Sequence, residues 1–238
     1  MLSTKSKYLG SSSLNALKIM RHNEFLFPQV YVDLDDVLAE TAITFTEVLL
    51  QFFGKSVRFD EIFSFDLSKS FDLEPKELEK FMILAHDPSV LMSVQPIKGA
   101  VEVLESWKNR GAYITVVTGR PVSTHDISKE WLKKNKIPFD CFSVVDKYGH
   151  SKGDNNHKVL GLRTVLKYKF CFAIEDSARM AQFLSRHIGI PVALLDRPWN
   201  QRITRLSREL YELVVRCRDW TEIDDAFRSR QITRLGQT

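Results

Sequence analysis

The sequence predicts an α/β protein in which a parallel sheet is covered by helices on both faces. From residue 29 onward, short β-branched and apolar segments alternate with amphipathic helical ones, the pattern of a parallel sheet. Acidic or hydroxyl side chains follow several of the apolar segments, and that edge of such a sheet is where ligands bind. We therefore expect a Rossmann-like sheet of five or more strands, in the order 3-2-1-4-5, with a binding site at its carboxyl edge.

Each element follows from its own local pattern. The strands are expected at residues 30–34, 113–118, 141–145, 169–174 and 191–195, with a further edge strand at 214–217. The helices between them are expected at residues 100–109, from 123 onward, at 159–166, at 177–187 and at 200–212, the last being rich in arginine. Gly111 is expected to stop the first of these helices, and Thr221 is expected to cap a last short one.

Residues 38–96 interrupt the alternation. A helix is expected at 40–53, stopped by Gly54, and another at 75–86, with Pro75 in its first turn. Because no strong strand lies between them, this stretch is interpreted as a small helical cap inserted after the first strand. The expected division is a core of residues 28–37 and 97–223, a cap of 38–96, and a C-terminal helix or tail of 224–238.

Composition excludes several classes of function. The net charge is +4, and residues 1–27 hold Lys5, Lys7, Lys18 and Arg21 against Glu24, so +3 of it lies there. The nearly neutral remainder predicts no nucleic-acid polymer as partner, and no apolar run approaches the ~20 residues of a membrane span. Three cysteines without a C-x-x-C pair are typical of reduced thiols in an intracellular protein.

The N-terminal segment leaves the compartment open. Residues 1–27 are interpreted as a flexible basic tail or as a transit segment, since the first 23 residues contain six serines and threonines and no acid. A cytoplasmic location is expected, or a mitochondrial or other organellar one if the segment is a transit peptide. A homodimer is left open.

Asp33 and Asp35 are the most informative residues of the chain. They stand two residues apart at the end of the first apolar segment. One carboxylate at such a place can serve as nucleophile or metal ligand and the other as proton donor. The plain alternative is a turn whose acids cap the next helix.

Three further clusters fit the same site. Thr118 and Gly119 end the second strand, offering a hydroxyl and close backbone approach to a phosphate oxygen. Glu175 and Asp176 end the fourth, although acids there also suit a helix start. Lys158 supplies an ammonium group, with Lys152 as its rival. Together they predict carboxylates for a hard divalent cation such as Mg²⁺ and a grip for an anionic group.

These motifs resemble those of the haloacid-dehalogenase-like (HAD) phosphohydrolases. The matching residues, in chain order, are Asp33-Leu34-Asp35, Thr118, Lys158 and Glu175-Asp176. Within that superfamily the chain looks most like the 5′(3′)-deoxyribonucleotidase branch and related nucleotidases, and the resemblance covers residues 29–223. Further segments support it: 33–39, Pro96-Ile97-Lys98-Gly99-Ala100, Thr118-Gly119-Arg120-Pro121, 174–177 and Asp196-Arg197-Pro198-Trp199-Asn200.

The resemblance implies roles for single residues. Asp33 is the nucleophile and Asp35 the proton donor and acceptor. Mg²⁺ is held by Asp33, the backbone carbonyl of Asp35 and Asp176, with Glu175 as a weaker candidate. The phosphoryl group is bound by Thr118, Gly119 and Lys158.

Two positions have open interpretations. Asp36 stands where deoxyribonucleotidases usually carry glycine, and it either shifts the metal or caps the following helix. Arg120 either contacts substrate or pairs with a carboxylate.

The function that the sequence predicts is that of a Mg²⁺-dependent phosphomonoesterase acting through an aspartyl-phosphate. Its expected substrates are small phosphate esters, in particular (deoxy)nucleoside monophosphates. The alternatives are a non-catalytic binding or regulatory protein with the same fold, a phosphatase of another small phosphorylated metabolite, and a phosphotransferase.

Overall fold

The computed structural model describes residues 28–147, 159–201 and 213–235. The expected arginine-rich helix and the N-terminal segment lie outside these ranges. The strands are β1 (Gln29–Asp33), β2 (Tyr113–Thr118), β3 (Cys141–Asp146), β4 (Val159–Gly161), β5 (Phe172–Glu175), β6 (Val192–Leu195) and β7 (Val214–Cys217). They form one parallel sheet in the order β4-β3-β2-β1-β5-β6-β7.

The expected five-strand order is confirmed by the middle of this sheet, because β3-β2-β1-β5-β6 are the five segments that the sequence predicted. The edge strand expected at 214–217 is present as β7. The helix expected at 159–166 is wrong in its first half. Residues Val159–Gly161 pair with β3 as the other edge strand, and only Leu162–Val165 are helical. The pattern of a short apolar run is compatible with a strand or with a helix. Here the run forms a strand because it pairs with the edge of β3.

The longer helices begin and end where local chemistry dictates. They are α1 (Thr41–Phe53), α2 (Leu67–Ser70), α3 (Pro75–Ala85), α4 (Pro88–Ser93), α5 (Ala100–Asn109), α6 (His125–Lys134), α7 (Leu162–Val165), α8 (Ala178–His187) and α9 (Trp220–Leu235). Gly54 ends α1 in the left-handed region, with φ of 65°, and its N–H donates to the Leu50 carbonyl. The last helix starts at Trp220 and spans 16 residues, so it is longer than the short helix expected.

The sheet is buried on both faces. Val30, Val32 and Leu34 face an apolar layer that includes the tryptophans of α5, α6 and α9. Tyr31 points to the opposite layer, built on α8, as the two-residue period of a strand requires. Such burial accounts for the nearly continuous apolar runs of the central strands.

We call the stretch that carries helices α1 to α4 (residues 38–96) the cap. It has its own apolar centre, in which Phe81 contacts Phe45 and Phe71 edge to face. Its two connections to the core lie side by side, because the Glu40 N–H donates to the Gln95 carbonyl and the Ile97 N–H to the Leu38 carbonyl. The cap therefore stands over the carboxyl end of β1.

No helix in the described part of the chain is long and apolar enough to cross a membrane.

Candidate active site

Three neighbouring strands carry the predicted site residues to one place. β1 lies between β2 and β5, and the register sets Val32 opposite both Val116 and Ile174. Their carboxyl ends therefore coincide. The structure brings together five predicted residues at that edge: Asp33, Asp35, Thr118, Glu175 and Asp176.

Asp33, Glu175 and Asp176 form a cluster of buried carboxylates. One oxygen of each lies within 4.8 Å of the others, and their residues are at most 6% exposed. Hard oxygen donors crowded in this way fit Mg²⁺, which is bound through a few carboxylates. Of the donors that the resemblance implied, Asp33, Asp176 and the weaker candidate Glu175 thus lie close enough together to hold a metal ion.

Lys147 is the cation inside this cluster, and the sequence analysis missed it. Its ammonium Nζ donates to Asp33 Oδ1 at 2.7 Å and to Glu175 Oε1 at 2.8 Å, and its side chain is 2% exposed. Lys158 and Lys152, to which the sequence analysis gave this role, lie outside the described residues. Lys147 directly follows β3, so the rule that located the acids, a polar residue at a strand end, also applied to it.

Tyr31 was missed as well. It lies in the middle of β1 with its ring fully buried, and its hydroxyl donates to Glu175 Oε1 at 2.6 Å. Glu175 thus accepts from both Tyr31 and Lys147 at one oxygen. A tyrosine in an apolar strand otherwise predicts only core packing.

Like charges crowd this part of the site. Burial and the charge of Glu175 raise the pKa of Asp33 well above its usual range, while Lys147 opposes the shift. Burial and Glu175 also raise the pKa of Asp176. Three carboxylates share one ammonium group, so a divalent cation would favour their ionised forms.

Asp35 lies apart from these carboxylates and is paired with Arg120. The guanidinium Nη2 and Nε donate to Asp35 Oδ1 at 2.6 and 2.9 Å, and the Thr41 and Thr118 hydroxyls donate to the same carboxylate. Burial favours the protonated acid, but the charge and hydrogen bonds of Arg120, together with Thr41, lower the pKa of Asp35 overall. Of the two roles considered for Arg120, pairing with a carboxylate is the one observed. The third guanidinium nitrogen of Arg120, Nη1, donates to Ser128 Oγ at 3.1 Å.

Asp36 caps a helix. Its φ of 55° lies in the left-handed region, which glycine adopts freely and aspartate tolerates. This backbone angle explains why a glycine suits the same place in the nucleotidases that the sequence resembles. The Asp36 carboxylate accepts from the Ala42 N–H at 3.0 Å, in the first turn of α1, and burial raises its pKa to about 7.

Asp176 is held by the loop that follows β6. The Trp199 indole N–H donates to Asp176 Oδ2 at 2.8 Å, and the Asn200 amide donates to the Asp176 backbone carbonyl at 2.8 Å. The Trp199 ring also meets Phe59 of the cap edge to face, at 5.7 Å between centroids. Residues 196–200 supported the family resemblance by their sequence. Their contact with Asp176 was not predicted, because it depends on the fold.

A cavity of about 590 Å³ lies between the core and the cap, within the usual size of a small-molecule site. Its core side, which we call the floor, consists of Asp33, Asp35, Gly119, Arg120, Lys147, Asp176 and Arg179. Its cap side includes an apolar and aromatic surface that, with His86, we call the wall: Phe45, Ile62, Phe65, Leu67, Leu78, Met82 and His86. The polar cap residues Thr41, Ser64 and Asp66 line the cavity beside it. Thr118 sits beneath the floor, fully buried, with its hydroxyl on Asp35.

Solved structures share this architecture. A "predicted phosphatase" from Clostridium acetobutylicum superposes with a TM-score of 0.57 and 16% identity, covering 86% of this chain and 99% of the other. A HAD family hydrolase from Deinococcus radiodurans R1 superposes with a TM-score of 0.53 and 16% identity, covering 87% and 97%. These likenesses show that the chain has the fold of these two proteins.

The family is shown by sequence. Residues 28–231 match the model of the family described as 5′ nucleotidase, deoxy (Pyrimidine), cytosolic type C protein, and the chain belongs to that family. A protein of Halalkalibacterium halodurans named "Putative nucleotidase BH1399" is 28% identical over 191 residues, which are 80% of this chain and 88% of that protein. The chain is accordingly a phosphoric monoester hydrolase.

Proposed function

We propose that this protein is a Mg²⁺-dependent phosphatase of (deoxy)nucleoside monophosphates that acts through an aspartyl-phosphate on Asp33. The observation that carries the proposal is the buried cluster of Asp33, Glu175 and Asp176 around Lys147. It forms the floor of a cavity whose wall is apolar and aromatic. A phosphoryl group fits the floor, and a flat apolar leaving group fits the wall.

Asp33 is the proposed nucleophile. Its Oδ1 is fixed by the Leu34 N–H at 2.8 Å and by Lys147, so the carboxylate is oriented before substrate arrives. Attack on phosphorus forms an acyl-phosphate bond and breaks the ester P–O bond. The departing oxygen takes a proton from Asp35.

Asp35 then completes the cycle. Water attacks the phosphorus of the acyl-phosphate, Asp35 accepts the proton, and inorganic phosphate leaves while the Asp33 carboxylate is restored. Donation in the first step leaves Asp35 as a carboxylate, which the Arg120 pair stabilises; the proton taken from water in the second step restores the acid for the next ester. Arg120 is thus a positioning residue for Asp35.

The positive charge of the floor reduces the repulsion between the Asp33 carboxylate and the phosphoryl group of the substrate. Lys147 neutralises part of the charge on Asp33, and with Gly119 it is placed to contact phosphoryl oxygens. Bound Mg²⁺, held by Asp33, Asp176 and the Asp35 backbone carbonyl, would offset the charge that remains. Glu175 is better suited to hold Lys147, since its Oε1 already accepts two hydrogen bonds.

The nucleotide part of the proposal rests on the wall and on the relatives. Phe45 and Phe65 offer ring surface to a base. The family description and the name of the H. halodurans relative both specify a nucleotidase. The carboxylates of Asp33 and Asp35 beside the Lys147 ammonium group support an enzyme over a purely binding protein, which would not need both acids.

Release of inorganic phosphate tests the proposal. We expect the purified protein to hydrolyse nucleoside 5′-monophosphates with Mg²⁺ and to lose that activity in EDTA, with recovery when Mg²⁺ is returned. The panel should include ribo- and deoxynucleotides, sugar phosphates and phospholipid headgroups. Selective turnover of a sugar phosphate would remove the nucleotide assignment and keep the phosphatase; full activity in EDTA would remove the metal dependence.

A further inference from the structure

His86 is a polar residue in the otherwise apolar wall. It follows α3 directly and is half-buried, and its ring lines the cavity. The ring Nδ1 lies 2.8 Å from the Met82 backbone carbonyl. A carbonyl oxygen can only accept, so Nδ1 carries the hydrogen. In the neutral ring the other nitrogen, Nε2, is therefore an acceptor.

The orientation of this ring is fixed. Phe45 meets it edge to face, with centroids 5.8 Å apart and planes at 72°, and the Met82 bond prevents a flip. Burial lowers the pKa of His86, and the nearby charges of Asp35 and Arg120 act on it in opposite directions. The neutral imidazole is thus the form present near pH 7.

Nε2 is accessible, and the residue that carries it lines the cavity. Within the described residues, no fully buried side-chain nitrogen or oxygen lacks a hydrogen-bond partner, and the one bond of the His86 ring is made by Nδ1. Nε2 is therefore not sealed in the protein, and the space that its ring lines is the active-site cavity. Nε2 can therefore accept a hydrogen bond from a donor on a ligand that is bound in the cavity.

We propose that His86 is a specificity-determining residue whose Nε2 accepts a hydrogen bond from the 3′-hydroxyl of the leaving nucleoside. This inference rests on the proposed function, in which Asp35 protonates the ester oxygen. His86 and Asp35 line the same cavity, so the sugar that carries the ester oxygen is placed between them in this proposal. The 3′-hydroxyl is the one that ribo- and deoxyribonucleoside 5′-monophosphates share.

A site that offers an acceptor to a hydroxyl discriminates against substrates without it, because the acceptor then stays unpaired. We expect wild-type protein to prefer 2′-deoxyuridine 5′-monophosphate over its 2′,3′-dideoxy analogue by roughly tenfold in kcat/KM, the worth of one hydrogen bond. 4-Nitrophenyl phosphate has no hydroxyl donor and serves as the reference substrate.

Two substitutions separate recognition from structure. His86→Asn keeps an N–H where Nδ1 stands, able to bond the Met82 carbonyl, and removes Nε2. It is expected to lose about tenfold on the deoxynucleotide and to abolish the preference over the dideoxy analogue, with a clearly smaller loss on 4-nitrophenyl phosphate. His86→Gln, whose amide oxygen reaches toward the place of Nε2, should recover part of the loss. Ile83→Ala, on the same helix and 70% exposed, is the matched control.

The outcomes are distinct. Equal losses of His86→Asn on all three substrates would show a structural role and overturn the inference, and so would a wild-type protein that treats the deoxy and dideoxy substrates alike. In both cases the nucleotidase proposal stands. A wild-type protein that hydrolyses 4-nitrophenyl phosphate but no nucleotide would overturn the nucleotidase proposal and this inference together.

Discussion

The floor and the wall of the cavity differ in how firmly their side chains are held. Lys147 of the floor and Glu175, which holds it, are at most 2% exposed and bind to each other and to Asp33 and Tyr31. In the wall Phe45 and Ile62 are buried, but Phe65 and Met82 are 47% and 37% exposed. A buried, hydrogen-bonded polar cluster suits chemistry that is the same for every phosphate ester. A partly exposed apolar surface suits recognition that varies with the leaving group.

The two regions are also joined differently to the rest of the molecule. The floor is built on three hydrogen-bonded strands. The cap is joined through two paired connections, through Trp199 and through hydrogen bonds from α6 to its last turn. Substitutions in the floor should therefore lower turnover of every substrate. Substitutions in the wall should change KM for some substrates alone.

The largest effect among the supporting floor residues is expected at Asp35. Asp35→Asn removes the proton carrier and should lower kcat by on the order of 10²–10⁴ on all substrates. Steady-state kinetics on a nucleotide and on 4-nitrophenyl phosphate would measure this loss. Asp60→Asn, which disturbs only an exposed pair with Arg58, is the control. A loss confined to nucleotides would place Asp35 in recognition.

A smaller loss, again shared by all substrates, is expected at Lys147. Lys147→Met keeps a long apolar stem but removes the ammonium group, so kcat should fall by on the order of 10²-fold. Thermal unfolding of the same variant would show whether the fold survives, since two buried carboxylates lose their partner. Lys133→Met, on the exposed side of α6, should behave as wild type. Unchanged kcat in a folded Lys147→Met protein would remove the lysine from the site.

The smallest effect is expected in the wall, and two phenylalanines offer a matched pair. Phe65 lines the active-site cavity, whereas Phe63, two residues earlier and 54% exposed, lies outside it. Phe65→Ala should raise KM for nucleotides by roughly tenfold, the worth of one stacked base, with glycerol 3-phosphate unaffected. Phe63→Ala should change neither. If the two variants behave alike, the wall does not bind the base.

Much of the floor was predictable because its signals are local. Apolar runs that end in Asp33, Thr118 and Glu175 predict both the strands and the site at their carboxyl ends. The strand order then brings these three residues together. The roles of Asp36 and Arg120 could not be chosen from the sequence. The positive φ of Asp36 depends on the turn that contains it, and the bidentate partner of Arg120 follows the neighbouring strand. In each case the structure shows a contact that matches one of the two roles: the Ala42 N–H donates to Asp36, and Arg120 donates to Asp35.

The rest depended on contacts between distant parts of the chain. Lys147 could not be distinguished from other lysines until β3 was placed beside β2, where its ammonium reaches Asp33, 114 residues away in sequence. The indole of Trp199 reaching Asp176 is a contact of the same kind. The strand at Val159–Gly161 was mistaken for helix because its pairing partner, not its pattern, decides its form.

The covalent step on Asp33 is the centre of this account, and reductive trapping tests it most directly. Enzyme quenched during turnover with Mg²⁺ and treated with borohydride should carry homoserine at position 33, because borohydride reduces an acyl-phosphate and leaves a free carboxylate intact. Mass spectrometry of peptides would locate the change, and Asp33→Asn should show neither the label nor turnover. Wild-type rates in purified Asp33→Asn, or homoserine at Asp35 instead, would contradict the account.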